Sequence, residues 1–249
     1  MAAAAPEKDK YKVHKLSLKG SAKLVAEFFQ YSIHTILFQR GVYPAEDFTA
    51  VKKYGLNMLV SSDDQVRAYI KKIMSQLDKW MVGGKISKLV IVITDKDTGE
   101  NIERWQFDVQ ILAKPKSKPS SSSSSSSSKT PKPTTTTSTS TSTNQENTPS
   151  DPTAPSPSGT PGVEKTESEI QSEIAAIFRQ ITASVTFLPQ LSGDCTFNVL
   201  VYADASSEVP VEWGDSDAKE IVNGERVQLR GFSTASHRVD TLVSYRLQD

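Results

Sequence analysis

Cysteine is nearly absent from this chain: of its 249 residues, only Cys195 is one. No internal disulfide can form, and such usage fits a reducing compartment. Histidine is almost as scarce, and His14, His34 and His237 lie far apart in sequence. Neither a His-Glu-x-x-His helix nor a paired-cysteine zinc site can be written from these residues. There is no phosphate-cradling glycine loop and no Gly-x-Gly-x-x-Gly after a strand. No uninterrupted apolar run approaches the roughly 20 residues that cross a bilayer. The first ten residues are Ala-rich and charged, without an apolar signal core. Charge of one sign is missing too: 29 Lys and Arg balance 29 Asp and Glu. That balance argues against nonspecific adhesion to nucleic acid or membrane. The expectation is a soluble, intracellular protein with no cofactor, no nucleic-acid partner and no membrane insertion.

Catalytic chemistry has little to stand on. Cys195 with His34 or His237 would make a nucleophile–base pair, but no oxyanion or orienting motif accompanies them. A small buried thiol in a strand is the plainer reading. Asp63-Asp64 reads as acid in a helix first turn, favoured by the dipole, rather than as a metal site.

What is present is amphipathic pattern, interrupted once. A helix is expected over 21–39, where Leu24, Val25, Phe28, Phe29, Ile36 and Leu37 share a face. A shorter helix is expected over 45–54, ended by Gly55. A third starts at a Ser62/Gln65 capping box and runs to Met81 on Val66, Tyr69, Ile70, Ile73, Met74, Leu77 and Trp80, before Gly83-Gly84. The continuous apolar run 89–93 reads as a strand covered on both faces. After the Asp97-Thr98-Gly99 turn, Trp105, Phe107, Val109 and Ile111 point one way and Arg104, Gln106, Asp108 and Gln110 the other, giving a wet or partner-facing outer surface.

The tract 114–166 is almost all Ser, Thr, Pro and Lys. It buries too little apolar area to offset chain entropy and is expected to be a disordered loop insertion. Thr130, Thr148, Ser156 and Thr160 each precede proline, as proline-directed kinases require, although composition alone produces such pairs. Beyond it, Ser168 and Gln171 cap a helix over 167–184 with Ile170, Ile174, Ile177, Phe178 and Ile181 inward. Strands are expected over 196–202, 227–233 and 239–247, the last with Val239, Thr241, Val243, Tyr245 and Leu247 on one face. Asn223-Gly224 is a sharp turn and Gly231 weakens a strand interior. The fold class is α+β, helices packed on a mixed or antiparallel sheet.

Several blocks carry a resemblance: Gly20-Ser21-Ala22, Gln39-Arg40-Gly41-Val42-Tyr43-Pro44, Lys53-Tyr54-Gly55-Leu56, Glu103-Arg104-Trp105-Gln106-Phe107-Asp108, and the run from Arg179 through Gln180, Phe187 and Leu188 to Pro189. They resemble the HORMA-domain family. Tyr43-Pro44 is shared with other members, including the polymerase-zeta accessory subunit, whereas the Trp105 block and the Arg179 run look like its spindle-assembly-checkpoint branch.

The resemblance implies one domain over 16–249 after a flexible extension, 1–15, with a mobile C-terminal safety belt over about 203–249. It implies open and closed states, the closed one wrapping the belt over an extended partner peptide. Trp105, Phe107, Trp213, Val243 and Tyr245 would serve the peptide edge and belt, with Trp105 having a simple core role as its competitor. Arg179, Gln180 and Phe187 would form an interface between open and closed copies. Leu18 would lie in a state-sensitive N-terminal strand. The implied partners are the kinetochore coiled-coil checkpoint protein (mitotic arrest deficient one), the mitotic activator of the anaphase-promoting complex, the checkpoint kinase-like protein of the mitotic checkpoint complex, and a second copy of this chain. The implied role is a non-enzymatic adaptor that inhibits that complex, in the nucleus, at the kinetochore and in the cytoplasm. The alternative is a HORMA adaptor of DNA repair or meiosis.

Overall fold

The computed structural model describes residues 16–112, 165–191 and 193–247. The extension expected over 1–15 and nearly all of the tract, with its four Ser/Thr-Pro pairs, lie outside them. The two flanks of the tract fold together into one unit.

Helix α1, Leu18–Gln39, begins where Ser17 accepts the Gly20 N–H at 3.0 Å. Leu18 is therefore the first residue of a helix, 52 % exposed, and not a strand residue. Phe28 is the hub of the core. Its ring meets Phe107, Phe178 and Phe232 at 5.7, 5.4 and 4.9 Å, separations at which aromatic pairs attract edge to face.

The helix expected over 45–54 does not form. A 3-10 turn at Ala45–Asp47 leads into an antiparallel hairpin, β1 (Phe48–Lys53) and β2 (Leu56–Ser61). Its two-residue turn holds Tyr54 at φ 51° and Gly55 at φ 69°, the paired positive angles that match strand twist. Tertiary contacts hold Tyr54 there: its hydroxyl donates to Glu27 at 2.7 Å and its ring stacks on Phe178.

Helix α2, Asp64–Val82, is capped by Asp63, which accepts the Val66 N–H at 2.8 Å, so Ser62 is not the cap. Helix α3, Glu167–Ala183, starts from a capping box of Thr166 and Glu169, two residues before the expected Ser168. In both cases the side chain three residues ahead of the right amide wins.

Strands β3 (Ile86–Asp95), β4 (Asn101–Ile111), β5 (Cys195–Ala203), β6 (Glu225–Gln228), β7 (Phe232–Ser233) and β8 (His237–Tyr245) form an antiparallel sheet ordered β5-β3-β4-β8-β6, with β7 also on β8. The strand expected over 227–233 is broken at Gly231, where any Cβ would collide with the Val239 carbonyl oxygen. Leu247 falls beyond β8 and is exposed.

The three helices cover one face. Leu89, Ile91 and Ile93 of β3, Trp105 and Phe107 of β4, and Val239 and Val243 of β8 all turn inward to them. Glu103 also points inward and is fully buried. It accepts from Arg40 Nε at 2.8 Å and from the Trp105 indole N–H, while Arg40 also donates to the Pro189 carbonyl. Burial pushes the Glu103 carboxyl above its ordinary range, opposed by the Arg40 charge.

Candidate functional site: a sheet edge enclosed by a crossing segment

Strand β5 pairs with β3 alone among the described residues. Among the described residues its other edge carries unpaired backbone over a nine-residue strand. Such an edge is a template for a further strand, and proteins ordinarily blunt or cover it. Here it is surrounded. Tyr69 of α2 and Tyr43 of the loop after α1 set their rings against Phe197 of β5 at 5.6 and 6.2 Å. Burial raises the Tyr69 hydroxyl pKa, and the Val199 backbone N–H opposes that shift.

Residues 204–224 join β5 to β6 and hold no helix or strand. They leave β5 at the end of the sheet where Ile86 pairs with Ala203, and enter β6 at the opposite end, where Glu225 pairs with Tyr245. They must therefore cross the sheet both lengthwise and from one border strand to the other.

The first half of the crossing lies against α2. The Asp204 N–H donates to the Lys85 carbonyl at 2.8 Å, the Trp80 indole N–H to the Glu208 carbonyl at 3.1 Å, and Glu212 faces Lys72 at 3.7 Å. Trp213 packs edge-on against Trp80 with ring centroids 5.1 Å apart. The second half lies on the opposite face of the sheet. Arg104 Nε donates to the Ala218 carbonyl at 3.1 Å, and Arg104 Nη2 stands 3.2 Å from Glu220. Between Trp213 and Ala218 the chain reaches at most about 17 Å, enough to turn round the β5 border but too little for a detour by the sheet's end. The segment thus encircles the β5 edge.

That placement corrects the expected wet surface of β4 at Arg104, while Gln106 and Asp108 are half-buried and Gln110 is exposed. Arg104 is only 1 % exposed. Val90 and Val92 of β3, on the same outward face, are fully buried although outside the main core cluster. At Arg104 the covering is the chain's own crossing segment.

Of the residues expected at the peptide edge and belt, Trp213 lies in the crossing. Trp105 and Phe107 do not border an edge: β4 is flanked by β3 and β8, and both side chains are wholly in the core. Val243 and Tyr245 are likewise interior to the sheet, on β8 between β4 and β6. At the end of α3, Arg179 is exposed and Phe187 is 41 % exposed, its ring 6.1 Å from Tyr245. Gln180 is more than a rim residue, because its Oε1 accepts the Arg230 N–H at 2.7 Å and ties α3 to the β6–β7 break. Sequence reasoning missed β5 as the edge, and Tyr69, Trp80 and Arg104 as its surroundings. Strand order is a long-range property with no local signal, but the alternation of Cys195, Phe197 and Val199 with Thr196 and Asn198 marked the start of a one-sided strand.

The candidate thiol chemistry finds no geometry. Cys195 Sγ lies 4.0 Å from the Gly193 carbonyl. His34 Nδ1 takes the Ser61 N–H and His237 Nδ1 pairs with Ser21 Oγ. Asp63 is a helix cap, and no cluster of metal-ligating side chains occurs among the described residues.

Comparison with known proteins identifies the family. Residues 21–237 match the HORMA domain. The chain is 49 % identical to the mitotic spindle checkpoint component mad2 of Schizosaccharomyces pombe, covering 93 % of this chain and 94 % of that protein. It is 38 % identical to the mitotic spindle assembly checkpoint protein MAD2A of Homo sapiens, covering 93 % of each. A chain of a crystal structure of the mitotic checkpoint complex superposes with a TM-score of 0.69 at 47 % identity, covering 92 % of this chain and 99 % of that one. The chain belongs to the HORMA-domain family, in the branch of the mitotic spindle checkpoint components.

Proposed function

We propose that this chain is a non-catalytic adaptor of the spindle checkpoint that captures an extended peptide on the β5 edge, beneath residues 204–224. The observation that carries the reading is the enclosed edge. A peptide strand added to β5 gains main-chain hydrogen bonds along Cys195–Ala203, the affinity-giving part of β-augmentation. Because the crossing segment passes on both faces of the sheet, the added strand lies inside a closed loop of chain. Entry and exit then require the crossing to detach, so both are slow and release is governed by local opening.

The branch supports the wider role. The partners are the coiled-coil checkpoint protein of the kinetochore and the mitotic activator of the anaphase-promoting complex, with the checkpoint kinase-like protein joining the assembled inhibitor. In this reading a crossing wrapped round the β5 edge belongs to the closed state, and an open state has β6–β8 elsewhere. Arg179, Gln180 and Phe187 join an open to a closed copy, and Leu18 marks the N-terminal segment sensitive to that change. The adaptor works in the nucleus, at the kinetochore and in the cytoplasm.

The test is a pull-down with the binding peptides of the two checkpoint partners beside a repair-polymerase peptide. Retention of the checkpoint peptides alone is expected. Retention of the repair peptide alone would replace this reading with a repair adaptor, and retention of none would remove peptide capture.

A further inference from the structure

We infer that Arg104 is the positioning residue that seats the second half of the crossing segment on the outer face of the sheet, an inference that rests on the proposed capture at β5. A cation on a strand face of alternating polar residues ordinarily extends into water. Arg104 is instead buried, and its guanidinium is used in three directions. Nη1 donates to Gln106 Oε1 at 2.6 Å, Nε to the Ala218 carbonyl at 3.1 Å, and Nη2 faces the Glu220 carboxylate at 3.2 Å.

The first of these contacts, a hydrogen bond, belongs to the sheet; the other two, a hydrogen bond to Ala218 and an ion pair with Glu220, belong to the crossing. The sheet side is itself braced. Gln106 Nε2 donates to Asp108 at 2.8 and 3.0 Å, and Lys88 Nζ stands 3.5 Å from the same carboxylate. Residues two apart share a strand face, so Arg104, Gln106 and Asp108 form a polar ladder that fixes the guanidinium plane. The crossing supplies only acceptors, one carbonyl and one carboxylate, at a fixed spacing of two residues. A planar fork can meet both together; a lysine ammonium on a flexible stem cannot hold that geometry. The first half of the crossing is held by aromatic packing at Trp80, whereas the second half has this one buried cation. Arg226 also approaches Glu220, at 3.6 Å, but it is 61 % exposed and screened by solvent.

Limited proteolysis of the full chain without any peptide tests the assignment, with amide exchange of the core as the control. Arg104→Lys and Glu220→Lys are each expected to speed cleavage within 216–222 by about tenfold or more, through loss of the bond to the Ala218 carbonyl or of the ion pair with Glu220. Exchange in α1 and β3 should stay at wild-type rates, and Arg226→Gln should leave cleavage within 216–222 unchanged. Wild-type cleavage in either Lys variant overturns the inference, as does an Arg226→Gln effect as large as that of Glu220→Lys. Should Arg104→Lys loosen the whole sheet, Glu220→Lys decides, because its half-exposed side chain lies outside the core. A second readout is release of a peptide captured by the wild-type chain, expected to be about tenfold faster in both Lys variants. Failure of the wild type to capture any peptide would count against the proposed function and would leave the proteolysis result standing.

Discussion

Trp213 rests edge-on against Trp80 of α2, with ring centroids 5.1 Å apart, while the Trp80 indole N–H holds the Glu208 carbonyl at 3.1 Å. This pair fastens the chain leaving the β5 edge to the helical layer. Trp213→Ala removes the packing without touching the sheet. Truncating a fully buried Trp costs about 3–5 kcal/mol, and Trp213 is only partly buried, so a smaller loss of overall stability is expected. The larger effect should fall on retention, with captured peptide released faster while urea unfolding shifts modestly. Unchanged release would show that the pair is packing alone.

The Arg40–Glu103 pair predicts a different kind of loss. Both side chains are buried, and they join the end of α1 to β4 and to Pro189. Arg40→Ala leaves a buried carboxylate without its cation, a change that typically costs about 3–5 kcal/mol. A fall in urea midpoint with normal peptide specificity in the surviving folded fraction is expected. A midpoint equal to wild type would mean that water replaces Arg40 at no cost.

Acid should weaken the fold through His34. Burial, with the Arg67 charge behind it, lowers the His34 pKa from 6.5 to about 4, and burial lowers that of His237 too. Both imidazoles stay neutral in the fold, with Nδ1 engaged by Ser61 and Ser21. The unfolded chain binds protons that the folded chain refuses. The stabilisation is therefore full above about pH 6.5 and declines as the pH falls toward about 4, by on the order of 3 kcal/mol for His34. Urea unfolding compared at about pH 7.5 and about pH 5 should show the drop, and His34→Gln should shrink it. Equal midpoints at both pH values would contradict the burial argument.

Self-association should depend on the far end of α3. Arg179→Glu reverses the charge at an exposed position of the proposed interface, and Gln180→Ala also removes the acceptor of the Arg230 N–H. The double variant is expected to elute as a monomer by size-exclusion with light scattering while still capturing peptide. An unchanged dimer fraction would assign these residues to α3 packing only.

The tract is expected to be dispensable for folding. Its described borders converge on one turn: the Leu112 N–H donates to the Ser236 carbonyl, and Lys165 Nζ to Ser233 Oγ. A short flexible loop in place of residues 116–162 should leave the thermal midpoint within a few degrees, since loop closure depends only weakly on length. A large drop would show that the tract contributes packing.

Periodicity made α1, α2, α3 and the β3–β4 hairpin legible, because their apolar spacing matches the face each buries. It failed at 45–54, where the three-residue spacing of Phe48, Val51 and Tyr54 mimics a helix although the chain there is a strand and turn. The decisive feature there is a positive φ at Tyr54, which Glu27 and Phe178 enforce from distant sequence. The candidate site was half legible. Trp213 stood out as an aromatic in a polar stretch. Arg104 was read as a solvent-facing residue because its cover comes from residues more than a hundred positions away. The sheet order that exposes β5 and encloses β4 has no local signature at all.

The central claim is that a partner peptide becomes the strand next to β5. Amide hydrogen exchange across Cys195–Ala203 tests it most directly, with and without the binding peptide of the coiled-coil checkpoint protein. Alternate amides of β5 should gain strong protection in the complex, since only every second N–H points to the added strand, and that protection should last as long as the slow release. Strong binding with β5 exchange unchanged, and protection elsewhere on the surface, would contradict capture at the enclosed edge.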